Sequence, residues 1–288
     1  MNEFQFEPKI RVKLPSLISE ILKQDSINFA MNANKLCNTI FAYYAINHTL
    51  LEDVSVEGCN NQTLQFTLNN DNQDLFMALC DTINISTKAL FFRNLFFQYC
   101  NQPIYVREQI IYNSSYQMLL NAIKARRKLK IRYKNSYRII EPYFIIKSDG
   151  ETRNYVFAYC DSQQRYCNYR LSNIHAVGII TKVPFEHYDE EYIKTMHRNF
   201  DAFLSYGQTI QVRLDEIGQQ MFQRNLTHRP KLLNHQNDIF ELECSQLKAQ
   251  LYFPQFMHHA EILSPPELRT WFHDQFTAVY TMYTKDAG

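Results

Sequence analysis

The chain has 288 residues, of which 45% are hydrophobic and 20% charged, with only six glycines and nine prolines. This composition excludes collagen-like, disordered and low-complexity proteins, and it indicates a globular protein of one to three domains. The formal net charge of +1 conceals an uneven distribution, because residues 1–101 carry −3, residues 102–182 carry +9 and residues 183–288 carry −5. A basic segment between two acidic ones is typical of a polyanion site, although a solvated basic face would have the same charge.

Residues 1–101 contain the same pattern twice. Basic and apolar residues alternate strictly over 9–14, which predicts a half-buried strand with Lys9, Arg11 and Lys13 on its exposed face. Two helical patterns follow this strand, and the order of strand, helix and helix then recurs, with the second strand about 54 residues further on. Because so small a unit cannot bury its apolar faces alone, we expect the two copies to pair through a two-stranded antiparallel ribbon.

This repeat resembles the ribbon-helix-helix DNA-binding family, here fused into one chain as a pseudo-dimer. The resemblance implies that outward side chains of the ribbon enter the major groove and that the start of each second helix holds a phosphate. The implied DNA-binding residues are Lys9, Arg11, Lys13, Gln65 and Thr67, with phosphate contacts near Asn34 and Thr87. The alternative is a scaffold or oligomerisation element whose three basic residues only solvate an exposed strand.

The basic segment passes from one helical pattern, over 116–127, to several short strands. A hairpin turn is expected at Asp149 and Gly150. The predicted strands are 129–134, 137–146, 154–159 and 165–171. One helix followed by four or five short strands predicts a small open barrel.

The residues of this segment resemble the WYL domain, which has a Sm-like, SH3-type β-barrel. The similarity lies in blocks 122–124, 129–133, 138–143, 154–160 and 169–174, which follow the order and spacing of that family. The tripeptide that names the family is Asn154-Tyr155-Val156 here, and the family's later arginine is Asn173. The resemblance implies a ligand-sensing module, common in bacterial transcriptional regulators, that binds a negatively charged ligand such as nucleic acid. The implied ligand-binding residues are Arg132, Tyr133, Arg138, Tyr155, Arg165 and Arg170.

The C-terminal segment alternates strands and helices and ends in a helix with an apolar stripe of Leu268, Phe272 and Phe276. Its Pro-Glu-Leu-Arg sequence at 266–269 resembles the C-terminal extension that follows WYL domains, which implies a homodimer formed through this extension. His258 and His259 have no third metal ligand nearby in the sequence, so we expect a surface or packing role for them.

Several classes of protein lack support in the sequence. The seven cysteines form no CxxC pair, and no signal peptide or apolar run of membrane-spanning length is present, so we predict reduced thiols in a cytoplasmic protein without a membrane partner. No Walker loop, GxGxxG, HExxH or nucleophile elbow occurs, and we therefore predict neither an enzyme nor a cofactor or metal site.

We therefore predict an α+β protein with four parts. These are a tandem ribbon-helix-helix-like domain at 1–101, a WYL domain at 112–182, a helical linker at 183–206 and a WYL C-terminal extension at 207–288. The predicted function is that of a transcriptional regulator, which binds promoter or operator DNA and whose WYL domain senses a nucleic-acid or nucleotide ligand. The alternative is an RNA-binding, CRISPR-accessory WYL protein that modulates an effector nuclease.

Overall fold

The computed structural model describes residues 8–47, 61–82, 85–147 and 153–284. The chain divides into two compact units. The first unit comprises residues 1–147, 152–156 and 169–184, and the second comprises residues 148–151, 157–168 and 185–288.

The first unit begins with the repeated order that the sequence predicts. The elements are β1 (Lys9–Pro15), α1 (Ser16–Asn28), α2 (Ala33–Ile46), β2 (Asn61–Thr67), α3 (Asn70–Thr82) and α4 (Lys88–Cys100). β1 and β2 pair antiparallel, with Lys9 opposite Thr67 and Pro15 opposite Asn61. The predicted pairing of the two strands is therefore confirmed.

Apolar side chains on the inner face of this ribbon join an aromatic core. Strict alternation on β1 buries Ile10, Val12 and Leu14 against the helices. Beneath them, Phe92 is fully buried and packs on Phe66, with ring centroids 5.3 Å apart. Burying this face fixes the register of the strands, because a shift by one residue would turn it outward.

The WYL-like segment follows as two helices and a sheet. Its elements are α5 (Ile104–Ile111), α6 (Asn113–Ala125), β3 (Arg127–Tyr133), β4 (Ser136–Lys147), β5 (Asn154–Cys160), β6 (Arg165–Arg170) and β7 (Ile174–Pro184). The strand order in the sheet is β6-β5-β4-β3-β7, and β3 pairs antiparallel with both β4 and β7. The chain contains a curled sheet that forms a half-barrel.

The second unit is built around a four-stranded sheet. Its elements are α7 (Glu190–Arg198), β8 (Thr209–Leu214), α8 (Glu216–Arg224), β9 (Lys231–Gln236), β10 (Ile239–Glu243), α9 (Gln246–Tyr252), β11 (Ala260–Ser264) and α10 (Pro266–Thr284). The strand order is β11-β8-β10-β9. Its core includes Phe253, Phe256 and Leu268, all at most 1% exposed. The mixed composition of helices and sheets agrees with the predicted class, whereas the predicted helical linker is helical only over Glu190–Arg198.

Among the described residues, no helix combines the length and apolar character that a membrane crossing requires.

Candidate nucleic-acid interface

The outward side of the ribbon carries six polar side chains. Burial alternates along β1, so that Lys9, Arg11 and Lys13 are exposed while their neighbours are buried. The register places Thr67, Gln65 and Thr63 opposite these three residues. We call this set the ribbon face: Lys9, Arg11, Lys13, Thr63, Gln65 and Thr67. It contains three cations and no carboxylate, which suits contact with a polyanion.

One cross-strand hydrogen bond organises the middle of the ribbon face. The Nε of Arg11 donates to Oε1 of Gln65 at 3.1 Å. Arginine and glutamine are side chains that read guanine and adenine edges by bidentate hydrogen bonds. The predicted DNA-binding residues Lys9, Arg11, Lys13, Gln65 and Thr67 therefore lie together on one exposed surface.

The starts of the two second helices differ from each other. Thr87 caps α4, and its Oγ1 accepts a hydrogen bond from the backbone nitrogen of Leu90 at 3.1 Å. α2 is capped by Asn32, whereas Oδ1 of Asn34 accepts a hydrogen bond from the backbone nitrogen of Thr67 at 2.7 Å. Asn34 therefore ties α2 to the ribbon, and of its side-chain atoms Nδ2 is the donor that a phosphate could use.

A tyrosine–arginine cluster, formed by Tyr133, Arg138 and Tyr169, lies in the WYL-like sheet. The rings of Tyr133 and Tyr169 meet edge to face with centroids 4.9 Å apart. The guanidinium carbon of Arg138 lies 5.5 Å from the Tyr133 centroid and 5.6 Å from the Tyr169 centroid. A guanidinium beside aromatic rings is suited both to gripping a phosphate and to stacking on a base.

Arg132 lies on the opposite face of the same sheet. Arg132 pairs across the strands with Tyr137, and Lys130 pairs with Ile139, so these four side chains share one face. Tyr137 is 65% exposed, and the Nζ of Lys130 lies 5.0 Å from its ring centroid. We call Lys130, Arg132, Tyr137 and Ile139 the outer sheet face. Lys130 and Tyr137 are absent from the sequence prediction, although alternation along β3 would have indicated Lys130 once Arg132 was chosen.

The other predicted ligand-binding residues lie on β5 and β6. Tyr155 is half-buried on β5, Arg165 is exposed at the start of β6 in the second unit, and Arg170 is half-buried at the end of β6. The structure therefore joins Tyr133 and Arg138 directly, and adds Tyr169 as the residue that sequence reasoning missed. Tyr169 is 1% exposed, and its position in the block 169–174, which resembles the WYL domain, does not indicate that its ring contacts Tyr133 and Arg138.

A buried acid links three helices of the first unit. Asp25 on α1 is fully buried, and its carboxylate accepts hydrogen bonds from Nε and Nη2 of Arg107 at 2.6 and 3.1 Å. The hydroxyl of Tyr99 donates to the same carboxylate at 2.8 Å. Burial, followed by the charge of Asp25, raises the pKa of Tyr99, so its hydroxyl remains a donor. This network joins α1, α4 and α5.

A second buried acid lies within the WYL-like sheet. Glu141 on β4 is fully buried, and its Oε1 lies 3.3 Å from Nζ of Lys128. The hydroxyl of Tyr143 donates to Oε2 of Glu141 at 2.9 Å. A cation and a tyrosine hydroxyl thus contact this carboxylate, as they contact the carboxylate of Asp25.

The histidine pair of the second unit has a structural contact. Nδ1 of His259 lies 2.8 Å from Oδ2 of Asp215, the residue that caps α8. The backbone nitrogen of Gly218 and then the hydrogen bond with His259 lower the pKa of Asp215. Among the described residues, neither histidine belongs to a group of three potential metal ligands.

A family match and similarities to solved structures relate this chain to known proteins. A family model for the WYL domain matches residues 114–179. No curated protein matches the chain significantly, whereas sixteen chains of known structure do. One of these, described as the crystal structure of a CRISPR Cas-related protein, is 16% identical, covers 100% of this chain and 97% of its own, and has a TM-score of 0.69. This similarity shows a shared fold.

A second solved structure is the proteasome accessory factor B/C (PafBC) of Arthrobacter aurescens. It is 13% identical and covers 98% of this chain and 51% of its own length, with a TM-score of 0.30. That score is too low to support a structural argument. The family match shows that residues 114–179, which include the tyrosine–arginine cluster, form a WYL domain.

Proposed function

We propose that the chain is a transcriptional regulator that binds DNA through the ribbon face and senses a nucleic-acid or nucleotide ligand through its WYL domain. The observation that carries this proposal is the ribbon face itself, where three cations stand in register with three neutral hydrogen-bonding side chains. Lysine and arginine supply the phosphate neutralisation on which DNA affinity depends, while arginine and glutamine can read base edges. The ribbon-helix-helix and Sm-like barrel assignments are parts of this proposal.

The ligand would contact the tyrosine–arginine cluster, where a planar cation and two rings lie within 6 Å of each other. The same proposal includes a cytoplasmic homodimer formed through the C-terminal extension. Support comes from the end of α10, where four large apolar side chains are between 40% and 83% exposed. These residues are Val279, Tyr280, Met282 and Tyr283. Their burial against a second copy would remove an apolar surface from water.

The test of the DNA-binding proposal is the double variant Arg11→Ala with Lys13→Ala. We expect its affinity for a 30-base-pair duplex to fall, and the slope of log K against log salt to become shallower by about 2, because two phosphate contacts are lost. Binding of a single strand of the same length should persist. Electrophoretic shift titrations at several salt concentrations measure both quantities, and Lys124→Ala, an exposed substitution in the last turn of α6, is the matched control.

Equal losses of duplex and single-strand binding in the double variant would contradict the proposal that the ribbon face binds duplex DNA while the WYL domain binds the single strand. An unchanged salt slope would contradict the ribbon as the DNA-binding surface.

A second candidate function is that of an RNA-binding accessory factor of a CRISPR effector nuclease. The outer sheet face favours it, because two cations flank an exposed tyrosine on which an unpaired base can stack. The description of the similar structure as CRISPR Cas-related is consistent with it. Under this candidate, unmodified protein should bind single-stranded RNA more tightly than duplex DNA at 150 mM salt, whereas the regulator should show the reverse preference.

A further inference from the structure

A cleft opens within the first unit between the turn that joins α1 to α2 and the WYL-like elements. Its volume is about 440 Å³, within the usual range for small-ligand sites. Phe29 and Lys35 contribute to one wall. Tyr112, the first turn of α6 and the segment that follows β6 contribute to the other.

The charge of the cleft is positive. Lys35 is exposed near the start of α2, and Arg170 is half-buried at the end of β6. No Asp or Glu occurs among the described residues that line the cleft. The Nε of Arg170 is buried, and no acceptor for it exists in the described part of the chain. A guanidinium and an ammonium that line the same cleft without a carboxylate suit an anionic group such as a phosphate.

The first turn of α6 adds neutral donors to the same wall. Ser114 and Ser115 line the cleft there, and no side chain caps the helix. A helix of 13 residues carries a partial positive charge at its N-terminus, which favours an anion close to Ser114 and Ser115. The start of α6 and the two cations, Lys35 and Arg170, therefore all favour an anionic ligand.

Two aromatic residues, one on each wall, also line the cleft. Phe29 and Tyr112 meet edge to face with centroids 5.9 Å apart, and the Tyr112 hydroxyl donates to the carbonyl of Phe29 at 3.1 Å. Burial, and then the charge of Glu108, raises the pKa of Tyr112 to about 12, while Arg153 and Arg170 act in the opposite direction. Glu108 itself is fully buried and is not part of the cleft wall. The tyrosine thus stays neutral, and the aromatic part of the cleft suits a planar base.

We infer that this cleft binds a nucleoside 5′-monophosphate, with the phosphate beside Lys35, Arg170 and the start of α6 and the base towards Phe29 and Tyr112. The inference does not depend on DNA binding by the ribbon face, because none of the six ribbon-face residues lines the cleft. The walls belong to the ribbon-bearing elements on one side and to the WYL domain on the other. A bound nucleotide would therefore bridge these two parts of the chain.

The test is isothermal titration calorimetry of the full chain with AMP, GMP, CMP and UMP, each used separately. At least one of them should bind, and its nucleoside and inorganic phosphate should each bind at least 10-fold more weakly. Arg170→Met and Lys35→Gln should each weaken binding of that nucleotide by at least 10-fold. Lys124→Gln, at the far end of α6, should bind it like the unmodified protein.

Binding of none of the four nucleotides would overturn the inference, and so would unchanged affinity in the Lys35→Gln variant. Because Lys35 is exposed, its substitution leaves the core intact and keeps the test valid if Arg170→Met fails to fold. Equal affinity for the nucleoside would overturn phosphate recognition, and equal affinity for inorganic phosphate would overturn base recognition. Retention of nucleotide binding in the Arg11→Ala, Lys13→Ala variant separates this site from the ribbon face.

Discussion

The ribbon face and the outer sheet face are both exposed strand pairs with cations, yet their side chains are arranged differently. On the ribbon, every cation lies on β1, the partners on β2 are neutral and polar, and aromatic rings are absent from the face. On the outer sheet face, Lys130 and Arg132 stand opposite Ile139 and Tyr137. The first arrangement suits hydrogen bonds to base edges in a duplex groove, and the second suits stacking of unpaired bases. Positive charge alone therefore does not distinguish the two kinds of partner.

The two buried acids, Asp25 and Glu141, differ in how far away in the sequence their partners lie. The partners of Asp25, Tyr99 and Arg107, are 74 and 82 residues away in the sequence. Glu141 is held by Lys128 on the neighbouring strand and by Tyr143 only two residues away. The ion pair that links α1 to α5 is therefore long-range in sequence, whereas the ion pair within the sheet is local.

The largest effect is expected from Asp25→Ala, which tests the long-range ion pair between α1 and α5. It leaves Arg107 as a buried charge without its carboxylate and removes the acceptor of the Tyr99 hydroxyl, so the free energy of unfolding should fall by about 3–5 kcal/mol. Guanidinium chloride denaturation measures this change. Glu20→Ala, an exposed acid on the same helix, is the control and should change it by less than about 0.5 kcal/mol.

A loss below about 1 kcal/mol in Asp25→Ala would show that the buried ion pair is not what holds α1 to α5.

A smaller effect is expected from Tyr137→Ala, which tests the stacking role of the outer sheet face. Because Tyr137 is 65% exposed, the fold should be unaffected. Loss of one stacked base should weaken single-stranded RNA binding by about 1–3 kcal/mol, while duplex binding should not change. Fluorescence anisotropy with labelled strands measures both affinities. If RNA affinity is retained, or if both affinities fall together, the contrast between the two faces is wrong.

The smallest effect is expected from Glu261→Gln on β11 of the second unit. The hydrogen bond from Arg269, followed by the charges of Arg269 and Arg213, lowers the pKa of Glu261 below its usual 4.5. A lowered carboxyl pKa stabilises the fold above pH 4.5, and this contribution is lost as the pH falls through the lower, folded-state pKa. Since Glu261 is 43% exposed, the loss at pH 7 should be below about 1 kcal/mol.

Thermal unfolding from pH 7 to pH 3 checks this prediction, because the difference between Glu261→Gln and the unmodified protein should shrink as the pH falls. A constant difference across that range would show that the charge of Glu261 is not responsible. The affinities of the variant for duplex DNA and for RNA should equal those of the unmodified protein.

Local patterns in the sequence predicted the ribbon well, because alternation over residues 9–14 settles both the strand and its exposed face. The same reasoning failed where periodicity is weak or contacts are distant. β9 is exposed along its whole length and therefore shows no alternation. α5 has only eight residues, too few for a clear helical period. The pairing of Asp25 with Arg107 depends on tertiary packing, which no short pattern reports.

The candidate ligand site shows the same limit. The family resemblance predicted Arg132 and Arg138 as parts of one ligand site. Side chains alternate between the two faces along each strand, and Arg138 pairs with Ile131, the neighbour of Arg132, so the two arginines lie on opposite faces of the sheet. The order of residues identified the domain, whereas the grouping of its side chains required the sheet. Tyr169 belongs to the cluster because its ring lies 4.9 Å from that of Tyr133 and 5.6 Å from the guanidinium carbon of Arg138.

Two consecutive residues of α5 point into different neighbourhoods, since adjacent side chains on a helix diverge by about 100°. Arg107 reaches Asp25 on α1, whereas Oε2 of Glu108 accepts hydrogen bonds from the backbone nitrogen and the Nδ2 of Asn154 on β5, both at 2.8 Å. A chimera that joins another N-terminal domain to this WYL domain in front of α5 would leave the largely buried Arg107 without its carboxylate. A chimera joined behind α5 would instead leave Asn154 without Glu108. We therefore expect the segments on either side of α5 to retain these contacts only when they are exchanged together with α5.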